Sequence, residues 1–145
     1  MIRRDLAAAM LTLAVVLAGP QMGAALAQNF SPYFETTGDG PLDIYNDAVL
    51  CTALLEGEFE SLPDGVERWR IDNGSRDARE FALFMLDSGN VVDVTGANLG
   101  PDNLQIDLRN ARFDWQLKLL SLEDDGETPD AEIARCLELY EYDRE

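Results

Sequence analysis

The residues whose chemistry is most directly readable are Cys51 and Cys136, the only two cysteines of the chain. They lack the C-x-x-C spacing of a redox pair. An even cysteine count in a chain that meets an oxidising compartment implies pairing, and two cysteines allow one intramolecular connectivity. The spacing therefore predicts a structural disulfide closing a long loop. In the chain-entropy picture such a closure is worth roughly 4–5 kcal/mol.

Other chemistry is limited by what is missing. The chain contains no histidine. A Ser-His-Asp triad, His-ligated zinc and His-ligated haem are therefore excluded. Covalent haem attachment would need C-x-x-C-H, and there is no glycine-rich phosphate cradle, so no cofactor is implied. Carboxylates are abundant, with 28 Asp plus Glu, but nothing singles out a catalytic pair at glycosidase-like separation. Glu56, Glu58 and Glu60 form a short acidic ridge that reads as a solvated helix end. One stretch resembles a calcium loop in part. With Ser121 in the first position, Glu123 takes the third, Asp125 the fifth, Gly126 the sixth and Glu132 the twelfth. Ser121 replaces the usual leading aspartate and Pro129 interrupts the loop, so a solvated acidic segment is the default and no metal is assigned. The remaining candidate is Arg68-Trp69-Arg70. Trp and Arg are favoured where proteins contact partners, which makes this a weak candidate contact. Trp115 fits a core stripe instead.

Charge and processing set the frame for these residues. Eleven Lys plus Arg against the 28 acids give a net charge of −17. Such a field repels nucleic acid and steers basic partners. Residues 1–27 read as an export signal: Arg3-Arg4, the apolar run Leu6 to Ala18, a break at Gly19-Pro20, and an Ala25-Leu26-Ala27 cleavage site. The apolar run is short for a membrane span. The mature protein is thus expected in the periplasm or medium, without membrane insertion, and slightly more acidic than the full chain.

The elements that would position these residues follow from periodicity and caps. Residues 28–40 read as an irregular leader carrying Phe30, Tyr33 and Phe34, and 41–145 as a single acidic helical domain. A helix is predicted from Pro41 to about Glu58, with Leu42, Tyr45, Val49 and Ala53 on one side. Leu62 to Gly74 reads as a connection, with turn signals at Pro63-Asp64-Gly65 and Asn73-Gly74, and Val66 to Ile71 as a short strand or irregular pass. A second helix is expected from Ser75 to Asp87. Its six consecutive apolar residues, Phe81 to Leu86, make it either the central element of the core, the preferred reading, or part of a partner-facing surface.

Val91 to Val94 reads as a small extended segment. Residues 104–122 are ambiguous. Leu104, Ile106 and Leu108 alternate, as do Phe113, Trp115, Leu117 and Leu119, which fits a hairpin. Leu104, Leu108, Ala111, Trp115, Leu119 and Leu122 equally fit a helix, and the scarcity of β-branched residues favours it. A last helix follows Thr128-Pro129 and carries Ile133, Cys136, Leu137 and Tyr140 on its buried side. The expected fold is all-α: a small bundle of three or four helices stapled by one disulfide.

Two function classes remain. One is a non-enzymatic protein of the inhibitor, immunity or accessory-subunit type that binds another exported protein, with a basic one the expected partner. The alternative is a small-ligand-binding domain or carboxylate-based enzyme, which requires a cleft with acid groups beside apolar residues.

Overall fold

The computed structural model describes residues 38–140. The signal reading over residues 1–27, most of the leader and the C-terminal five residues lie outside them. Within the described residues the fold is all-helical, with four helices and no strand. They are α1 (Pro41–Ser61), α2 (Val66–Asp87), α3 (Pro101–Asp125) and α4 (Asp130–Tyr140).

Helix α1 is the centre. It enters through Pro41, whose missing N–H costs nothing in the first turn. From Tyr45 to Leu55 it is buried on almost every side. It packs on all three other helices, most extensively on α2 and then α3, whereas the backbones of α3 and α4 do not approach closely. The six-residue apolar run on α2 was expected to hold this place. It instead lies along the edge of the core: Ala82 and Leu86 are buried, while Phe84 points outward. A helix surrounded by three others must be apolar all round, and small Ala48 and Ala53 let neighbours approach α1 closely. The bulky Phe81–Phe84 segment is less suited to that place.

Helix α2 begins at Val66, nine residues before the expected Ser75. Pro63-Asp64-Gly65 is the turn that precedes it. Val66 to Ile71 is helical rather than extended, so Arg68-Trp69-Arg70 lies in the first turns of a helix. Asn73-Gly74, read as a turn, is inside the helix. Gly74 is there for space. A Cβ at this position would stand 2.9 Å from Leu137 Cδ2 and 3.2 Å from Leu55 Cδ1. The missing side chain lets α2 approach both α1 and α4.

Residues 101–125 form one helix, in agreement with the compositional argument. Pro101 occupies the first turn, and the Asn103 side chain accepts the Gly100 backbone N–H at 2.9 Å. The far end closes at Gly126, which adopts φ +71°, where a glycine carries no Cβ penalty. Between α2 and α3, Val91 is buried and Val92 forms an isolated bridge with Asn98. Helix α4 starts at Asp130, one residue after the expected Pro129, and Pro129 O accepts the first helical hydrogen bond, from Ile133 N.

The Sγ atoms of Cys51 and Cys136 are 2.01 Å apart, at disulfide distance, with a Cα–Cα separation of 5.4 Å. The pair joins the middle of α1 to α4.

Candidate functional site

The Arg68-Trp69-Arg70 segment divides once it is placed on a helix. Arg68 is occupied. Its guanidinium lies 4.2 Å above the Phe59 ring, donates to Leu62 O at 3.1 Å and pairs with Asp64 at 3.1 Å. It locks the α1–α2 turn. Arg70 lines a shallow depression between α2 and α4, with Glu67, Ile71 and Leu137. Trp69 remains outward, 58% exposed. Successive residues on a helix point about 100° apart, so the three side chains do not form one surface.

Glu56, read as part of a solvated ridge, is instead the hub of a cleft. Its carboxylate accepts Arg79 from α2 at 3.3 Å and Arg112 from α3 through a short contact. The cleft opens around them between α1, α2 and α3, with a volume of about 680 Å³, and Trp115 and Leu119 form its apolar wall. Trp115 packs beside Gly57, whose Cβ would stand 3.8 Å from the indole. Sequence reasoning missed this hub because Arg79 and Arg112 are remote in the chain. Chemically the cleft carries one more carboxylate than guanidinium: Arg76, Arg79 and Arg112 face Glu56, Glu58, Glu60 and Asp72. Arg76 is already paired with Asp72 at 2.5 Å.

The residues of the partial calcium loop are divided between two helices. Ser121, Glu123 and Asp125 belong to the last turns of α3 and Glu132 to the first turn of α4. A helical turn cannot wrap a cation as an irregular loop does. Among the described residues no group of three or more His, Cys, Asp or Glu side chains is placed to hold a metal ion.

Around the cysteine pair, Asp47 accepts Arg135 at 2.7 Å and the Tyr140 hydroxyl at 3.4 Å. Arg135 Nη2 lies 3.7 Å from Cys51 Sγ and 3.8 Å from Cys136 Sγ. This arrangement covers the pair and ties α4 to α1.

The most distinctive surface is on α3. Its inward residues Leu104, Leu108, Ala111, Trp115 and Leu122 are buried. Its outward side carries Ile106, Phe113, Leu117 and Leu120, which are 51%, 61%, 51% and 59% exposed. At 3.6 residues per turn these four fall within an arc of about 60°, diametrically opposite the buried set. Helix α3 therefore has two apolar faces, one in the core and one in solvent. Single exposed apolar residues are ordinary, but Phe113, Leu117 and Leu120 adjoin at successive turns with Ile106 in line two turns before them, a strip of the kind that marks an interaction site. Arg109 and Arg112 border it on one side, Asp114 and Lys118 on the other.

Among the described residues no helix is long and apolar enough to cross a membrane. The chain finds no match among protein-family models, curated proteins or solved structures.

Proposed function

We propose that this is an exported, non-enzymatic protein that acts by docking onto another protein through the outward face of α3. The observation that carries the reading is the strip Ile106, Phe113, Leu117 and Leu120. A helix presenting anchors at successive turns is a recurrent mode of protein recognition. Export is supported by the signal-like residues 1–27, and a covalent Cys51–Cys136 bond suits an oxidising compartment. The net charge of −17 adds long-range steering towards basic exported partners, of the kind an inhibitor, immunity protein or accessory subunit meets.

The small-ligand reading rests on the Glu56 cleft. Its three arginines are already paired with Glu56 and Asp72, so beyond the carboxylates of Glu58 and Glu60 the cleft offers a ligand mainly the apolar wall of Trp115 and Leu119. The docking reading is the stronger for that reason.

The test is affinity capture from the exported fraction with the wild-type protein and a Phe113→Glu, Leu117→Glu variant. Partners held by the wild type and lost by the variant support the docking face. Retention of the same partners by the variant contradicts it. Loss of binding in high salt identifies a basic partner, and salt-insensitive binding removes the electrostatic part of the proposal.

A further inference from the structure

We infer that the occupant of the α3 face is a second copy of this chain, docked as a parallel helix pair. This rests on the reading of that face as a protein-docking surface, and replaces the basic exported partner with a second, equally acidic copy.

The argument begins with spacing. Ile106, Phe113 and Leu120 recur every seven residues, and Leu117 lies four after Phe113. In heptad terms these are d positions at 106, 113 and 120 and an a position at 117. The a positions before it, 110 and 103, are both asparagine; Asn103 is engaged at the helix start, where it accepts the Gly100 N–H, and Asn110 is the one exposed on the same strip. A single Asn at an a position is a known device for fixing register and a two-stranded state, because it finds its best partner in its own copy.

The borders of the strip give the second argument. Arg109 falls at a g position and Asp114 at the following e position. In a parallel pair these are the positions that meet across the interface, g of one helix with e five residues on in the other. Neither Arg109 nor Asp114 forms an ion pair within the described residues. A two-fold axis along α3 would bring Arg109 to Asp114 twice. The next pair of border positions is Gln116 with Ser121, which is uncharged. The preceding pair is Asp102 with Asp107. Asp107 is turned inward, where it accepts the Tyr45 hydroxyl at 2.7 Å. An antiparallel pair would instead set Asn110 against an apolar residue and take Arg109 away from Asp114.

The whole-molecule charge opposes this contact at long range. At −17 per chain, two copies repel until salt shortens the Debye length to about 8–10 Å. The 25-residue helix is about 37 Å long, so two strips bury an area at the low end of what stable complexes use. A reversible dimer with a dissociation constant of roughly 1–100 µM is the expected outcome. Its defining property is tightening with salt, the reverse of binding to a basic partner.

The experiment is sedimentation equilibrium on the protein recovered from the export compartment, across concentration and at about 0.05 M and about 0.5 M salt. A monomer–dimer equilibrium that strengthens with salt, is abolished by Phe113→Glu, is weakened about tenfold by Arg109→Asp, and is regained in the Arg109→Asp, Asp114→Arg double variant supports the proposal. Circular dichroism and thermal melting of each variant separate lost association from lost folding. A monomer under all conditions overturns the proposal, whether a different protein or the chain's own residues 28–37 cover the face. If Phe113→Glu still abolishes capture of another protein in that case, the docking face stands and only its occupant is wrong. A dimer indifferent to Phe113→Glu overturns the self-docking proposal, and loss or retention of captured protein by the same variant then decides the docking face. Failure of the double variant to regain association overturns the parallel arrangement.

Discussion

Neighbouring aromatic residues on α3 have opposite roles. Trp115 is 4% exposed and closes the α1–α3 contact, while Phe113, two residues earlier, is 61% exposed. Truncating a buried aromatic removes transfer energy and leaves a cavity. Trp115→Ala is therefore expected to cost about 3–5 kcal/mol in urea unfolding. Phe113→Ala should stay within about 0.5 kcal/mol of wild type at concentrations where the protein is monomeric. Equal losses at the two positions would show that the outward face is not outward.

Asp93 is a second residue-scale case. It organises the turn before α3, accepting the Thr95 hydroxyl at 2.6 Å, the Thr95 N–H at 2.8 Å and the Ala97 N–H at 2.9 Å. The Thr95 hydroxyl first, and then the backbone N–H groups, hold its carboxyl below the usual value of 3.8. The donors favour the charged form, so the stabilising contribution is in place above pH 4 or so and is lost as pH falls through the lowered pKa. In Thr95→Val the carboxyl titration followed by NMR should move up towards 3.8. An unchanged midpoint would mean that the hydroxyl contributes nothing.

At the scale of elements, α3 explains its own ambiguity. Its apolar residues alternate because they fall in turn on two opposite helix faces: Leu104 in, Ile106 out, Leu108 in, then Phe113 out, Trp115 in, Leu117 out. A two-residue period was thus visible in a helix, and side-chain composition rather than period identified it. The same sequence made the strip legible only in part, since nothing local shows which of two apolar faces meets the core. Helix α2 was hidden by the converse problem. Gly74 belongs to the turn vocabulary when read locally, but tertiary packing against Leu55 and Leu137 gives it a place inside a helix. Gly74→Val should accordingly destabilise by about 1–3 kcal/mol through overpacking. A neutral melting temperature would show that the crossing has slack. Glu56 was misread for a similar reason, because Arg79 and Arg112 reach it only through the fold.

For the whole molecule, the long-range features of the fold converge on α1. It carries the core, one end of the cysteine pair, the hub of the cleft and, through Asp47, the ion pair to α4. The cysteines held at disulfide distance are separated by 85 residues in the chain, so their pairing ties together distant parts of the fold. Reduction, or Cys51→Ser with Cys136→Ser, should lower the unfolding free energy by roughly 4–5 kcal/mol. Recovery of stability in salt should follow, because the acidic chain repels itself. An unchanged stability after reduction would place the main staple elsewhere.

The central claim is that the outward face of α3 is covered by protein when the molecule is at work. Residue-level covalent footprinting measures this most directly. The protein is labelled dilute and alone, and again at working concentration in the exported fraction. The account predicts that Ile106, Phe113, Leu117 and Leu120 become protected together, while Val66 and Val94, more exposed and off the strip, keep their labelling. Unchanged labelling of those four residues, with protection appearing elsewhere or nowhere, would contradict it.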